Sequence, residues 1–235
     1  MASQSAPRDD ASARKGTRPD MSDGATPAPQ PGCPFCQRRD LELTLTETPS
    51  FYLLADHAPL VPGHVLIVPR AHYACYGAIP AHLDAELLEL KETTRRFLSE
   101  VYHTPTFFEH GVFRQTVYHA HLHAMPFGPV AWDLVGMAEA SGGVPYHGQD
   151  DLRAWYAQRG QYFFLETPGD AERQSPPQAA ILPAEMGIYG RALSTLHQLT
   201  NARGGWSPPQ LRYATRGPKL RALSAAWNAW RAQAE

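Results

Sequence analysis

The chain has 235 residues, of which 43% are hydrophobic and 19% are charged, and its formal net charge is −2. A chain of this length and composition can bury a substantial core, and its near-neutral charge supplies no global basic field, so we expect no specific nucleic-acid binding. No apolar run in the sequence approaches the roughly 20 residues that a membrane helix needs, so we expect no membrane partner.

The first part of the chain, residues 1–32, is rich in alanine, serine, proline, glycine and aspartate and contains no aromatic residue. Such a composition cannot bury enough apolar surface to fold, so we predict a disordered tail over 1–32. It lacks the apolar segment of a secretory signal, and acidic residues among its arginines argue against an organelle transit peptide. The odd number of cysteines, three, argues against a disulfide framework. These features together predict a cytoplasmic protein.

The next part of the chain combines strand patterns with one long helical pattern. Short apolar or alternating runs predict strands at 41–47, 51–55, 64–69, 106–109 and 116–125. Pro80 is well placed to open a helix, and apolar residues then recur at helical spacing from Ala81 to about His103. This order of elements predicts an α+β fold, with an antiparallel sheet and a long helix, over residues 33–127.

Beyond Pro126 the pattern loosens into a mixed C-terminal extension, 128–235. Residues 128–148 have the composition of loops. Two further strands are predicted at 162–166 and 179–182, and two helices at 184–199 and 219–234. We expect this extension to pack on the first domain.

Three histidines, His119, His121 and His123, alternate with apolar residues inside the predicted strand 116–125. Alternation in a strand places all three on one face. At about 3.3 Å per residue, His119 and His123 are about 13 Å apart, too far to share one metal ion. Two of them can share an ion, but such sites usually include a nearby carboxylate, and none closely follows His119. We therefore do not predict a catalytic metal on this strand.

The segment Gln115–Pro126 resembles the signature of the histidine-triad (HIT) superfamily, in which three alternating histidines follow Gln-Ser/Thr-Val. A second segment, Asp56–His72, resembles the upstream half of the family: an aspartate, a histidine eight residues later on the next strand, and a Pro-x-x-His end. The resemblance runs from Cys33 to about Pro126 and implies a HIT-like fold.

The resemblance also implies catalytic roles. His121, the middle histidine, is similar to the nucleophile that attacks a nucleotide α-phosphate and forms a covalent nucleotidyl-histidine. The residues that match the family's contacts to the phosphate and leaving group are His123, His64, Gln115 and Thr116. Covalent chemistry of this kind requires no catalytic metal.

The nucleotide itself is expected to contact residues upstream of the histidines. Asp56 matches the carboxylate that accepts the ribose hydroxyls, and Phe51 and Leu53 are candidates to wall the base. The family's usual Asn-x-Gly…Gly-Gln loop is altered here: Glu109 stands where Asn often contacts the ribose or phosphate, and Arg114 replaces a glycine. Arg114 either contacts the phosphate or faces solvent.

Cys33 and Cys36 form a CxxC pair, which by itself is compatible with redox chemistry, metal binding or chance. Many bacterial HIT proteins carry such a pair before their first strand, with a structural zinc ion completed by two histidines. The matching positions are His72 and His119. The resemblance therefore implies a closed, structural Cys₂His₂ zinc site, and the alternative is a pair of free thiols.

The function that the resemblance implies is hydrolysis of NMP-X, either a dinucleoside polyphosphate or a nucleoside phosphoramidate, at the α-phosphate. One alternative is a nucleotidyltransferase or phosphorylase, which passes the nucleotidyl group to phosphate or another acceptor. An alternative of another class is a noncatalytic nucleotide- or zinc-binding module. The extension is expected to cap the pocket, to replace the partner subunit of the usual homodimer, or to bind a second substrate. His110, next to Glu109, is expected to be structural rather than catalytic.

Overall fold

The computed structural model describes residues 27–37, 43–200, 206–208, 212 and 216–234. Most of the predicted tail, residues 1–26, lies outside the described residues, as do Leu41 and Glu42 of the first predicted strand. Within the described ranges, no helix is long and apolar enough to cross a membrane.

One antiparallel sheet organises the described part of the chain. Its strands are β1 (Thr44–Glu47), β2 (Phe51–Ala55), β3 (Val65–Pro69), β4 (Thr106–Glu109), β5 (Leu122–Met125), β6 (Val144–Pro145), β7 (Phe163–Thr167) and β8 (Gln178–Leu182). They lie in the order β1-β2-β3-β5-β4-β7-β8-β6, and every neighbouring pair is antiparallel. The predicted α+β fold with an antiparallel sheet is confirmed. Because β7 pairs with β4, the extension continues the sheet of the first domain edge to edge.

The helices cover both faces of this sheet. They are α1 (Asp84–Val101), α2 (Leu134–Glu139), α3 (Gln149–Arg159), α4 (Met186–Thr200) and α5 (Arg216–Ala234). A 3₁₀ turn over Ala81–Leu83 precedes α1, so the long helix begins three residues later than predicted. The sequence pattern did not predict α3, because Leu152 and Trp155 are its only buried apolar residues and its amphipathic stripe is short.

An apolar layer packs on each of the two faces of the sheet. On one face, Phe51 and Leu53 of β2 share a core with Leu90 and Phe97 of α1 and with Trp227 of α5. On the other face, α2 and α4 pack over β4, β7 and β8. Phe35, from the CxxC segment, packs over β2 and β3 on a small cluster of their residues, namely Tyr52, Leu54, Leu66 and Val68.

The prediction of a strand over 116–125 is wrong in its first half, because β5 begins only at Leu122. Continuing the β3–β5 register would place Ala120 opposite Pro69. Proline has no N–H to donate to a neighbouring strand, so the ladder stops there. The Ala120 amide instead donates to the Tyr73 carbonyl at 2.7 Å. His119 therefore lies in a loop and does not share the strand face of His123.

Candidate functional site

The first candidate site is a cluster of Cys33, Cys36, His72 and His119, whose ligand atoms all lie within 4.8 Å of one another. Nδ1 of His119 lies 3.4 Å from Sγ of Cys33 and 3.5 Å from Sγ of Cys36. Nδ1 of His72 lies 3.3 Å from Sγ of Cys36. Sulfur and nitrogen ligands of a tetrahedral zinc ion are about 3.6 Å apart at the usual bond lengths. The four side chains therefore fit the closed zinc site expected from the sequence.

The far side of the His119 ring supports the same interpretation. Its Nε2 lies 2.8 Å from the carbonyl oxygen of Pro69. A carbonyl can only accept, so the ring proton is on Nε2, and Nδ1 presents a lone pair to the two sulfur atoms. Metal-binding histidines usually have such a second partner, which fixes the ring and its tautomer. Burial, opposed by this hydrogen bond, lowers the pKa of His119 to about 4, so the ring is neutral at pH 7.

The second candidate site is a cluster of histidines around His123 of β5. His123 pairs with Leu66 of β3, so its side chain is on the face of the sheet opposite α1. The ring of His121 lies 5.0 Å from it, that of His64 5.2 Å and that of His110 6.0 Å, measured between centroids. The structure thus brings together the predicted His64, His121 and His123 and adds His110, which we had expected to be structural.

The hydrogen bonds of His64 determine which of its nitrogens carries the proton. The Leu60 amide donates to Nδ1 of His64 at 3.2 Å, so Nδ1 is unprotonated and the ring is neutral, with its proton on Nε2. Nε2 lies 3.0 Å from Nδ1 of His123 and donates to it. His123 consequently carries its own proton on Nε2. The chain from Leu60 through His64 to His123 is a line of donors that ends at His123 Nε2–H.

His121 has the opposite arrangement. Its Nδ1 lies 2.7 Å from the carbonyl oxygen of His119 and must donate to it, because the carbonyl can only accept. Nε2 of His121 is therefore an unprotonated lone pair. An imidazole in this state is a nucleophile, and the same hydrogen bond holds the ring in place.

Asp56 lies beside the donor chain. Its Oδ2 is 3.6 Å from Nε2 of His64 and 3.8 Å from Nδ1 of His123, and its Oδ1 accepts the Ala58 amide at 2.6 Å. These three side chains are close enough to hold an ion. However, the Leu60 amide keeps the proton on Nε2 of His64, the atom that would have to coordinate it. The arrangement therefore fits a hydrogen-bonded donor chain better than a metal site.

Burial sets the charge of these rings. It lowers the pKa of His64 and His121, and it lowers that of His123 well below its ordinary value. The carboxylate of Asp56 acts in the opposite direction on His64 and His121. All three rings are neutral at pH 7, in agreement with the tautomers that their hydrogen bonds require.

The prediction that Phe51 and Leu53 wall the base is wrong. Both are fully buried in the core beneath α1, on the face of the sheet that points away from the histidines. Alternation along β2 instead places Tyr52 and Leu54 on the histidine face, where Leu54 pairs with Leu66. Alternation along β2 defines its two faces but does not predict which of them meets the helix.

The prediction that Glu109 contacts the nucleotide is also wrong. Glu109 is fully buried at the end of β4, one residue beyond Phe108, so it lies on the α1 face. Its carboxylate accepts the Tyr76 amide at 2.8 Å and the Tyr162 hydroxyl at 2.6 Å. Burial raises its pKa to about 7. Glu109 is therefore a core residue that joins three segments of the chain.

The remaining predicted residues lie along the loop that precedes the histidines. The Gln115 side chain is buried and donates to the Ala74 carbonyl at 3.1 Å, whereas Thr116 is exposed. Arg114 is also exposed, and its Nη1 lies 3.3 Å from the sulfur of Met186. The catalytic roles of Gln115 and Thr116, and a phosphate contact by Arg114, stay predictions.

The extension reaches the histidine cluster from two sides. On one side, Tyr189 of α4 has its ring 5.8 Å from that of His110. On the other side, the Ser207 amide donates to the Leu60 carbonyl at 2.6 Å, and Nε of Arg212 donates to the Ser207 carbonyl at 2.8 Å. The sequence motifs carried no signal for these residues, because they lie far along the chain from the histidines.

Comparison with known proteins gives a family match for part of the chain. Residues 41–128 match the family model of the HIT domain. The chain is similar to a Zn-bound histidine triad family protein from Mycobacterium smegmatis, with 22% identity over 54% of this chain and 94% of that chain and a TM-score of 0.37. It is similar to a HIT family hydrolase from Clostridium thermocellum, with 24% identity over 45% and 95% of the two chains and a TM-score of 0.36.

A third similar structure is that of a histidine triad nucleotide-binding protein from Candida albicans. It shares 27% identity over 39% of this chain and 72% of that chain, with a TM-score of 0.34. A comparison of the sequence with curated proteins found no match.

Proposed function

We propose that the protein is a nucleotide hydrolase, because residues 41–128 match the HIT domain. In this proposal it cleaves NMP-X at the α-phosphate through a nucleotidyl-histidine on His121. The observation that carries this proposal is the hydrogen bond from Nδ1 of His121 to the His119 carbonyl, 2.7 Å long. It leaves Nε2 of His121 unprotonated, beside the donor chain that ends at His123. Nucleophile and donor thus meet on one face of the sheet.

The chemistry takes two steps. In the first, the lone pair of His121 Nε2 forms a bond to the α-phosphorus, and the bond from phosphorus to X breaks, with its electron pair leaving on X. The N–H of His123 donates to the developing negative charge. In the second, a water oxygen attacks the phosphorus, the N–P bond breaks, its electron pair returns to His121, and one proton is released with the NMP.

The site residues outside the triad have supporting places in this proposal. In this proposal Asp56 accepts the ribose hydroxyls, and its Oδ2, within 4 Å of both His64 and His123, keeps that carboxylate beside the histidine site. Tyr52 and Leu54, rather than Phe51 and Leu53, are on the face that would meet a base. Cys33, Cys36, His72 and His119 would hold a structural zinc ion, which braces the loop that carries the His121 hydrogen bond.

The test is turnover of labelled NMP-X substrates, with and without inorganic phosphate, by the wild type and by His121→Ala. We expect the wild type to release NMP and the variant to lose at least about a thousandfold in kcat, as for other covalent nucleophiles. His82→Ala is the matched control, because His82 is an exposed histidine in the turn before α1. Full activity of His121→Ala, or no release of NMP or NDP from any substrate by the wild type, would refute the proposal.

The same assay separates hydrolysis from transfer. If added phosphate converts the product from NMP to NDP, the nucleotidyl group passes to phosphate and the enzyme is a phosphorylase. A mass increase of one nucleotidyl group on His121, present in wild type quenched during turnover and absent from His121→Ala, would identify the covalent intermediate. Nucleotide binding without turnover would assign the noncatalytic module.

A further inference from the structure

Two positive side chains of the extension converge on one residue, Ser207. Nε of Arg212 lies 2.8 Å from the Ser207 carbonyl oxygen, and Nζ of Lys219 lies 2.9 Å from the Ser207 hydroxyl. Among the described residues, no carboxylate forms an ion pair with either side chain. Two like charges held near one another without a counter-ion repel each other, and an anion between them removes that repulsion.

Trp206, which precedes Ser207, packs against the domain. Trp206 stacks on Phe127, with centroids 5.3 Å apart and rings 4° from parallel, and its Nε1 donates to the Thr200 hydroxyl at 2.9 Å. These contacts position Ser207, the residue that both cations contact.

The same segment is joined to the catalytic donor chain by two hydrogen bonds. The Ser207 amide donates to the Leu60 carbonyl at 2.6 Å, and the Leu60 amide donates to Nδ1 of His64 at 3.2 Å. Burial is the largest effect that lowers the pKa of His64, and the positive charge of Arg212 also lowers it. Arg212 therefore lies on the His64 side of the histidine site, and Lys219 shares its partner Ser207.

The two cations favour one class of leaving group. A polyphosphate departs as an anion, which hydrogen bonds and nearby positive charge stabilise. An amine leaving group carries no such negative charge, so two cations beside it do not stabilise its departure.

We infer that Arg212 and Lys219 form a subsite for the phosphate groups of the leaving group, so that X is a polyphosphate chain rather than an amine. This inference rests on the proposed function and deepens it. In the first step, the bond between the α-phosphorus and its bridging oxygen breaks, and the electron pair stays on the departing polyphosphate. The two cations neutralise this charge, and the extension thereby sets the substrate class of the histidine site.

Binding of inorganic tripolyphosphate tests the subsite without turnover. We expect calorimetry to show tripolyphosphate binding to the wild type and at least about tenfold weaker binding to the double variant Arg212→Gln, Lys219→Gln, because each lost contact is charge-assisted. The affinity for AMP, which has no leaving group to contact the two cations, should differ by less than about twofold between the wild type and the double variant. Arg221→Gln is the control, because Arg221 is exposed on α5, the helix that also carries Lys219.

The charge-preserving variant Arg212→Lys, Lys219→Arg guards against a general loss of folding, and we expect it to retain tripolyphosphate binding. Equal tripolyphosphate affinity in the wild type and the double Gln variant would overturn the subsite, as would no binding to the wild type.

Substrate preference tests the leaving-group class. The wild type should cleave diadenosine tetraphosphate with a higher kcat/KM than adenosine phosphoramidate, and the double Gln variant should raise KM for the tetraphosphate by about tenfold. A wild type that prefers the phosphoramidate would overturn the inference while leaving the proposed hydrolase intact. A wild type that cleaves neither substrate but binds tripolyphosphate through the two cations would refute the hydrolase and leave the anion subsite standing.

Discussion

His64 donates a hydrogen bond to His123, with Nε2 and Nδ1 3.0 Å apart, because the Leu60 amide occupies the other nitrogen of the His64 ring. The direction of this bond decides which nitrogen of His123 carries the proton, namely Nε2. A main-chain amide thus sets the chemistry of a side chain two steps away.

Removing the Leu60 amide tests this relay. Leu60→Pro deletes the N–H, while Leu60→Ala keeps it and removes only the side chain. We expect Leu60→Pro to lower kcat by about fivefold to tenfold, in line with the loss of one hydrogen bond worth about 1 kcal/mol. Nitrogen-15 NMR should show Nδ1 of His64 unprotonated in wild type and in Leu60→Ala. A protonated Nδ1 in the wild type would contradict the relay.

Zinc removal is expected to destabilise the fold. The wild type should contain about one zinc per chain, and chelation or Cys33→Ser should lower the free energy of unfolding by several kcal/mol, because a structural site contributes its binding free energy to folding. Cys75→Ala is the control, because Cys75 is fully buried yet lies outside the ligand cluster. Elemental analysis and denaturant unfolding measure the two effects. A wild type that contains no metal and is equally stable with and without chelator would show that these four residues do not form a structural zinc site.

Glu109 is expected to make stability depend on pH. Its pKa is about 7 in the folded protein, against an ordinary value of 4.5, so the folded state holds the proton more tightly. This contribution is complete below pH 4.5 and is lost as the pH rises to 7, with a slope of up to about 1.4 kcal/mol per pH unit. Urea unfolding at several pH values should show the slope in wild type and its loss in Glu109→Gln. Identical slopes in the two proteins would show that Glu109 titrates normally.

Glu166 of β7 is expected to hold the extension against α1. It accepts hydrogen bonds from Lys91 at 2.5 Å and from Arg95 at 2.8 Å, and Lys91 is buried. Glu166→Ala leaves the Lys91 charge buried without its partner, which typically costs about 3 kcal/mol or more. The matched control is Glu92→Ala, because Glu92 also pairs with Arg95 but is 59% exposed. Chemical denaturation should separate the two variants, and equal, small losses in both would contradict this role.

Much of the fold and part of the site followed from local pattern. Period-2 and period-3.6 spacing predicted the strands and the long helix, because side-chain direction along one element depends only on its own backbone. Strand spacing predicted that His119 and His123 are too far apart to share one metal ion, and they are in separate clusters even though residues 119–121 are not in a strand. Each now lies in a different cluster, one with the cysteines and one with His64.

Only the tertiary structure decided what each element meets. Alternation gives β2 two faces without saying which one packs on α1, so Phe51 and Leu53 went to the core and Tyr52 and Leu54 to the site. The strand β5 begins only at Leu122, because Pro69 of the neighbouring strand β3 has no N–H to donate to it. The effect of this proline is thus on a segment far from it in sequence.

The same holds for the groups that tune the histidines. A main-chain amide such as that of Leu60 occurs at almost every residue and has no signature in the sequence. Arg212 and Lys219 both contact Ser207, which lies far along the chain from the histidines. The sequence determined which residue we propose as the nucleophile, His121. The fold determined its protonation and the charges around it, because hydrogen bonds and electrostatic fields depend on distance in space and not on separation along the chain.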